Sequence, residues 1–180
     1  RAGRITNVEY DPALPVHTAW DLGKGINMAV WFFQISGNAV RIIDHHEGAH
    51  SDGIPQVCEA LDRKPYKYGK DYVPHDAKAT DISTGKVRVQ TMHQCGRNPE
   101  LVPNHKIMDG INAARLTIPV CWFDRDKCAD GLEALRQYKA DFDEKTKAFK
   151  NEPKHDWTSH SADAFRYLSM TWRAIAAPKE

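Results

Sequence analysis

The chain has 180 residues, of which 41% are hydrophobic and 27% charged, and its formal net charge is +1. These values suit one soluble domain with a sizeable core and exclude a disordered or low-complexity chain. No apolar run is long enough to cross a bilayer, the longest being Met28 to Phe33, so no membrane contact is expected. Near-neutral charge leaves a nucleic-acid partner open, because an acidic metal site can offset a basic groove in the sum.

Residues 1–14 read as an irregular leading segment with a turn at Asp11-Pro12. The chain begins Arg1-Ala2-Gly3-Arg4 without an initiator methionine, and a piece of a longer protein is the expectation. Residues 15–21, Asn27 to Ser36 and Ala39 to His45 read as three strands, with Gly37-Asn38 as a hairpin turn. Such a run predicts an antiparallel meander. Ile54, Val57, Cys58 and Leu61 have helical spacing, which predicts a helix over Ile54 to Arg63. Asp71 to His75 follows as a short strand, reached by a parallel crossover.

The second half alternates. Helices are expected over Thr84 to Cys95, Lys106 to Ile118 and Asp126 to Asp141, and strands over Glu100 to Pro103 and Pro119 to Phe123. Phe142 to Trp157 is polar, carries the turn signal Asn151-Glu152-Pro153, and reads as an extended hairpin. Thr158 or Ser159 is the expected N-cap of a last helix running to about Trp172. A meander, then alternating helices and strands, then a terminal helix is the order of an α/β, ribonuclease H-like mixed sheet flanked by helices. Cys58, Cys95, Cys121 and Cys128 show no CxxC spacing and read as reduced thiols.

Three aspartates carry the chemistry. Asp21 closes the apolar run Val16-His17-Thr18-Ala19-Trp20, and Asp76 closes Tyr72-Val73-Pro74-His75. Asp163 sits among Ser161, Ala162 and Ala164, small residues that let a helix approach a sheet closely. A charge straight after an apolar strand is costly in a core unless it is paired or bound to metal. Each also has a plainer reading: a turn hydrogen bond for Asp21, a cap for Asp76, and a first-turn acid facing the helix dipole for Asp163. Mg²⁺ keeps several waters, so a few carboxylates suffice, and two ions together can drive phosphodiester hydrolysis. His160 lies one turn before Asp163 and could orient a carboxylate or bind phosphate. Asp44 could support the ligands from a neighbouring strand. Lys24 and Lys78 each closely follow a proposed ligand and, with Lys86, could meet DNA phosphates.

His46-Glu47-Gly48-Ala49-His50 matches H-E-x-x-H, but zinc-protease chemistry needs both histidines on one helix face. Here the match follows a strand, contains Gly48 and runs into Ser51-Asp52-Gly53, so a polar strand end and loop is expected instead. No Gly-rich phosphate loop is present, and any ATPase would lie outside this chain.

Thr18-Ala19-Trp20-Asp21-Leu22-Gly23, followed by Ala29-Val30-Trp31-Phe32-Phe33-Gln34, resembles the opening of the nuclease domain of tailed-bacteriophage terminase large subunits. Arg41 to Asp44, Val73 to Ala77, Val102 to Asn104, Asp109 to Arg115 and Ser159 to Tyr167 continue the resemblance in order. It implies a metal-dependent endonuclease that cuts concatemeric double-stranded viral DNA during genome packaging, in the cytoplasm of the infected bacterial host. It implies Mg²⁺ or Mn²⁺, as two ions, held by Asp21, Asp76 and Asp163. Its implied partners are double-stranded DNA, the portal protein, the small terminase subunit and an N-terminal ATPase domain of the same protein. Residues 1–14 would then be the linker from that ATPase, 15–175 the nuclease domain, and 142–157 an auxiliary hairpin. Relatives often carry a further acid a few residues after the first aspartate, where this chain has Ile26-Asn27, and the Asn27 amide can hold a metal-bound water but is a poorer ligand. Two other readings remain open here. One is a junction resolvase or integrase-type nuclease of the same fold class; the other is a DNA- or portal-docking module with latent cutting.

Overall fold

The computed structural model describes residues 3–23, 28–78, 87–146 and 157–176. Seven strands form one mixed sheet: β1 (Ile5–Thr6), β2 (Val16–Asp21), β3 (Ala29–Ser36), β4 (Ala39–Glu47), β5 (Tyr68–Val73), β6 (Pro99–Leu101) and β7 (Cys121–Asp124). Their spatial order is β1-β7-β4-β3-β2-β5-β6. β2, β3 and β4 pair antiparallel, as the meander predicts, and Gly37 supplies the positive φ of 58° in the β3–β4 turn. β5 returns parallel to β2 after α1 (Ile54–Asp62), and β6 lies parallel to β5.

Helices cover both faces. α1 and α2 (Arg88–Gln94) pack on one side, where Val57, Leu61 and Met92 meet Trp20, Val30 and Phe32. α3 (Ile107–Thr117), α4 (Ala129–Thr146) and α5 (Trp157–Ala176) cover the other. There Phe165, Leu168 and Trp172 of α5 pack on Ala19, Trp31, Phe33 and Tyr72. The strict alternation of β3 explains this division, since Ala29, Trp31 and Phe33 point to one core and Val30 and Phe32 to the other. Trp31 Nε1 donates to the carbonyl of Ser161 at 2.8 Å, which fixes α5 against the middle of the sheet. Among the described residues no helix is long and apolar enough to cross a membrane. All four cysteines are free, as expected.

Several boundaries differ from the sequence reading. The leading segment is not wholly irregular, because Ile5–Thr6 pairs with Phe123–Asp124 at the sheet edge. Two residues are too few to carry a period. Pro74 ends β5 before His75, and residues 75–78 turn as a short 3-10 helix. Ile118–Val120 is another such turn, so β7 starts at Cys121 rather than Pro119. Residues 142–146 of the expected hairpin belong to α4, where Phe142 to Thr146 contains no helix breaker; the remainder, 147–156, lies outside the described residues. α5 already begins at Trp157, so Thr158 and Ser159 lie inside it and neither is the N-cap. Of the helix expected over Thr84 to Cys95, residues 84–86 are outside the described set, 88–94 form α2, and Val87 and Cys95 flank it as its caps.

Candidate active site

Asp21 is the last residue of β2, and its pairing with Ala29 puts it on the face covered by α5. The small residues Ala162 and Ala164 are buried against that face and bring α5 close. His160 Nδ1 donates to Asp21 Oδ2 at 2.9 Å, and the Gly23 N–H donates to Oδ1 at 3.2 Å. The plain turn bond expected of a strand-end aspartate is therefore present, but it occupies only one oxygen. The bond to Asp21 lifts the His160 pKa above its ordinary value against the pull of burial, with the charges of Asp21, Asp163 and Glu47 adding to it. His160 Nε2 is buried without a partner among the described residues.

Asp163 stands one turn further along α5 than His160. It lies in the helix's second turn, where the dipole has faded, so a dipole role does not explain it. Arg166, three residues on, donates from Nη2 to Asp163 Oδ1 at 2.6 Å. Burial pushes the Asp163 carboxyl above the usual range, Arg166 opposes that shift, and the neighbouring charge of Asp21 reinforces it. The charge of Asp21 thus adds to the cost of ionising Asp163 in a partly dry setting.

Asp76 is exposed in the turn after β5. It reaches the same neighbourhood from the rim: the phenol of Tyr167 is pushed up by burial and then by Asp163, Asp21 and, more weakly, Asp76. Among the described residues, no three His, Cys, Asp or Glu side chains are grouped so as to hold a metal ion. The arrangement is two neighbouring acids with a third at the edge, not a closed cage. That donor set still suits Mg²⁺ or Mn²⁺, which are satisfied by one or two carboxylates plus water and phosphate oxygens. β2, β5 and β6 are parallel, and Asp21, Asp76 and Asn104 all lie at or just beyond their C-terminal ends, the edge where open α/β sheets take ligands.

The other expected residues fall as follows. Asp44 pairs with Phe32 and faces α1, where Lys64 Nζ at 2.9 Å and Tyr66 Oη at 2.8 Å both donate to Oδ2. It is engaged there and not with Asp21. Lys78 is exposed two residues after Asp76. Lys24, Asn27 and Lys86 lie outside the described residues. The H-E-x-x-H match is not helical, since β4 runs through His46 and Glu47 before the turn.

Two residues escaped the sequence reading. Glu47 shares a cross-strand row with Asp21, through Ala29, and its charge reaches His160. Strict alternation counted from Val40 and Ile42 would have placed it on the opposite face; the bulge between Ile42 and Asp44 shifts the phase and turns it toward Asp21. Arg166 was passed over in Ala164-Phe165-Arg166-Tyr167, although its i,i+3 spacing from Asp163 is the signal of a paired charge.

A mixed sheet of this order, with a helix carrying an acid laid against a strand-end acid, has the ribonuclease H-like fold expected. Its fold is that of large terminase nuclease domains. The P22 large terminase nuclease domain aligns at a TM-score of 0.68 with 16% identity, covering 96% of this chain and 90% of that one. A large terminase from a thermophilic bacteriophage, solved in complex with ADP, aligns at 0.66 with 15% identity. This chain is covered to 93% there but spans only 42% of that longer protein. The nuclease of the large terminase from thermophilic phage G20c, with bound cobalt, aligns at 0.57 with 16% identity and 91% coverage of both chains. No protein-family model and no curated protein sequence matches the chain.

Proposed function

We propose that this chain is the nuclease part of a phage DNA-packaging large terminase and cuts double-stranded DNA by metal-dependent phosphodiester hydrolysis. The observation that supports it most is the bond from His160 of α5 to Asp21 at the end of β2, which sets Asp163, one turn further along that helix, beside the same strand end in a fold shared with terminase nuclease domains. In this reading Asp21 and Asp163 hold a divalent cation, Mg²⁺ or Mn²⁺, and Asp76 joins from the rim with a second ion when DNA is seated. A bound cation supplies the acidity that makes water a nucleophile and the charge that steadies the leaving oxygen. The residues do the rest. His160 holds Asp21 in one orientation through Nδ1, and Arg166 holds Asp163, so neither carboxylate must be ordered at the moment of reaction. Lys78 meets the backbone beside the cut, a contact that positions DNA without reading its sequence.

The substrate in the infected cell would be concatemeric viral DNA. The ADP-bound large terminase is more than twice as long as this chain, which supports an N-terminal packaging ATPase in the full-length protein. The portal and the small terminase subunit would be its partners there.

The test is plasmid cleavage in Mg²⁺ and Mn²⁺. The unaltered chain should convert supercoiled plasmid to nicked and linear forms. Asp21→Ala and Asp163→Ala should each lose that activity while keeping a cooperative melting transition. Undiminished cutting by either folded variant refutes the assignment.

A further inference from the structure

Beyond the acids lies a cavity of about 290 Å³, between the ends of β5 and β6 and the flank of α5. Pro74 and Pro103, which follow those strands, give it flat apolar plates, and Tyr167, His75 and His105 give it rings. Asn104 and Asp76 bring hydrogen-bonding edges to its lining. The loop that forms one wall is tied down. His105 donates from Nδ1 to the Pro103 carbonyl at 2.8 Å and meets Tyr167 edge-on, with centroids 6.2 Å apart. Gly110 of α3 makes the space for this wall: a Cβ there would stand 3.0 Å from His105 Nε2 and 3.2 Å from Arg166 Nη1.

We infer that this cavity is a subsite for a single unstacked nucleotide of the strand being cut, its base lying among Pro74, Pro103, His105 and Tyr167 with its edge toward Asn104. The inference rests on the nuclease reading above and names a substrate preference within it. Rings and prolines offer the flat faces on which a base stacks, and an amide beside them can both donate to and accept from a base edge. The volume holds one base and its sugar and excludes a base pair. The occupant must belong to the strand at the acids, because Asp76 lines the cavity and so does Arg166, which grips Asp163. A phosphate fits less well. The Asp76 carboxylate would face it, and the nearest guanidinium is already engaged by Asp163. Pulling a base out of an intact duplex costs more than one such pocket returns, so the subsite favours a nucleotide that is already unpaired.

Two readouts test this. In the first, a duplex carries one 5-iodouracil, either paired or unpaired, and is irradiated with the protein in Ca²⁺. The unpaired base should give adducts on His75, His105 or Tyr167 with about tenfold higher yield than the paired one, the factor one stacked contact supplies. Asn104→Ala, at an exposed loop position, should reduce that yield several-fold. In the second, a duplex with one unpaired nucleotide is cut in Mg²⁺ and the ends are mapped. Cuts should concentrate at a fixed offset from the unpaired nucleotide, and Asn104→Ala or His105→Ala should flatten that distribution. Adducts confined to other residues, equal yields from paired and unpaired bases, or an offset unchanged in both variants overturns the subsite. Cutting without adduct or offset overturns the subsite and leaves the nuclease standing. Adduct formation with no cutting of any DNA overturns the nuclease reading and with it the subsite as a place on a cut strand, leaving only a base-binding cavity.

Discussion

Replacing Gly131 by alanine should destabilise the protein, although alanine is the better helix former. Gly131 lies in α4 over the Trp31 indole. A Cβ there would collide with Trp31 Cη2, and would stand 2.8 Å from both Trp31 Cζ2 and His45 Cδ2. The gain in helix propensity is at most about 1 kcal/mol. Forcing a methyl into a filled core costs about 1–3 kcal/mol, and the upper end applies where the neighbour cannot yield. Trp31 cannot yield: it is fully buried, its Nε1 is bonded to Ser161, and its ring abuts His45, Phe123 and Phe165. The net loss should therefore be about 2 kcal/mol, which lowers the Tm of a domain this size by roughly 4–8 °C. Calorimetric or circular-dichroism melting of Gly131→Ala measures it. In a Trp31→Phe background, where the outer ring is gone, the same alanine should cost much less. An unchanged or higher Tm for Gly131→Ala in the native background would show that α4 does not sit on Trp31 as described.

Acid should weaken the fold through its buried and half-buried histidines. Burial lowers the His45 pKa from 6.5 to about 4, and lowers those of His17 and His46 in the same direction. Above pH 6.5 these groups are neutral in both states and cost nothing. Below it the unfolded chain takes up protons that the folded chain refuses, so stability falls as pH drops toward 4. For His45 alone the full loss is up to roughly 3 kcal/mol, and His45→Gln should flatten the Tm profile between pH 7 and 5. His160, raised by Asp21, acts in the opposite sense; an equal slope in His45→Gln and the unaltered chain contradicts the account. Thr18→Val should also be costly. Thr18 Oγ1 donates to buried Asp71 at 2.5 Å and accepts from Trp20 Nε1 at 2.7 Å, so valine strands two buried groups at about 1–3 kcal/mol each. Denaturant unfolding of Thr18→Val with a midpoint like that of the unaltered chain would rule this out.

The parts of the fold that the sequence revealed are those with a strong apolar pattern. β3 opens as an unbroken apolar run and ends at a turn signal, and α1 repeats every three to four residues, so each was readable in isolation. Phe142 to Trp157 misled because polarity was taken for a hairpin, when residues 142–146 simply continue α4. β1 was invisible, since its two residues owe their form to the edge of β7, over a hundred positions away. At the site, Asp21 was legible as a charge ending an apolar strand. Glu47 was not, because its face depends on the β4 bulge and on which strands become neighbours, whereas the Arg166 pairing was written in its spacing from Asp163 and was overlooked. His160 could be placed near Asp163 by helical spacing, but its bond to Asp21 exists only once α5 lies on the sheet.

The central claim is that Asp21 and Asp163 together seat a divalent cation. Calorimetric titration of Mn²⁺ into the unaltered chain, Asp21→Asn, Asp163→Asn and Asp76→Asn tests it without recourse to DNA. The account predicts saturable binding to the unaltered chain, a loss of tenfold or more in affinity for each of the first two variants, on the order of 1.4 kcal/mol or above, and a smaller loss for Asp76→Asn. Equal Mn²⁺ affinity in Asp21→Asn or Asp163→Asn would contradict it.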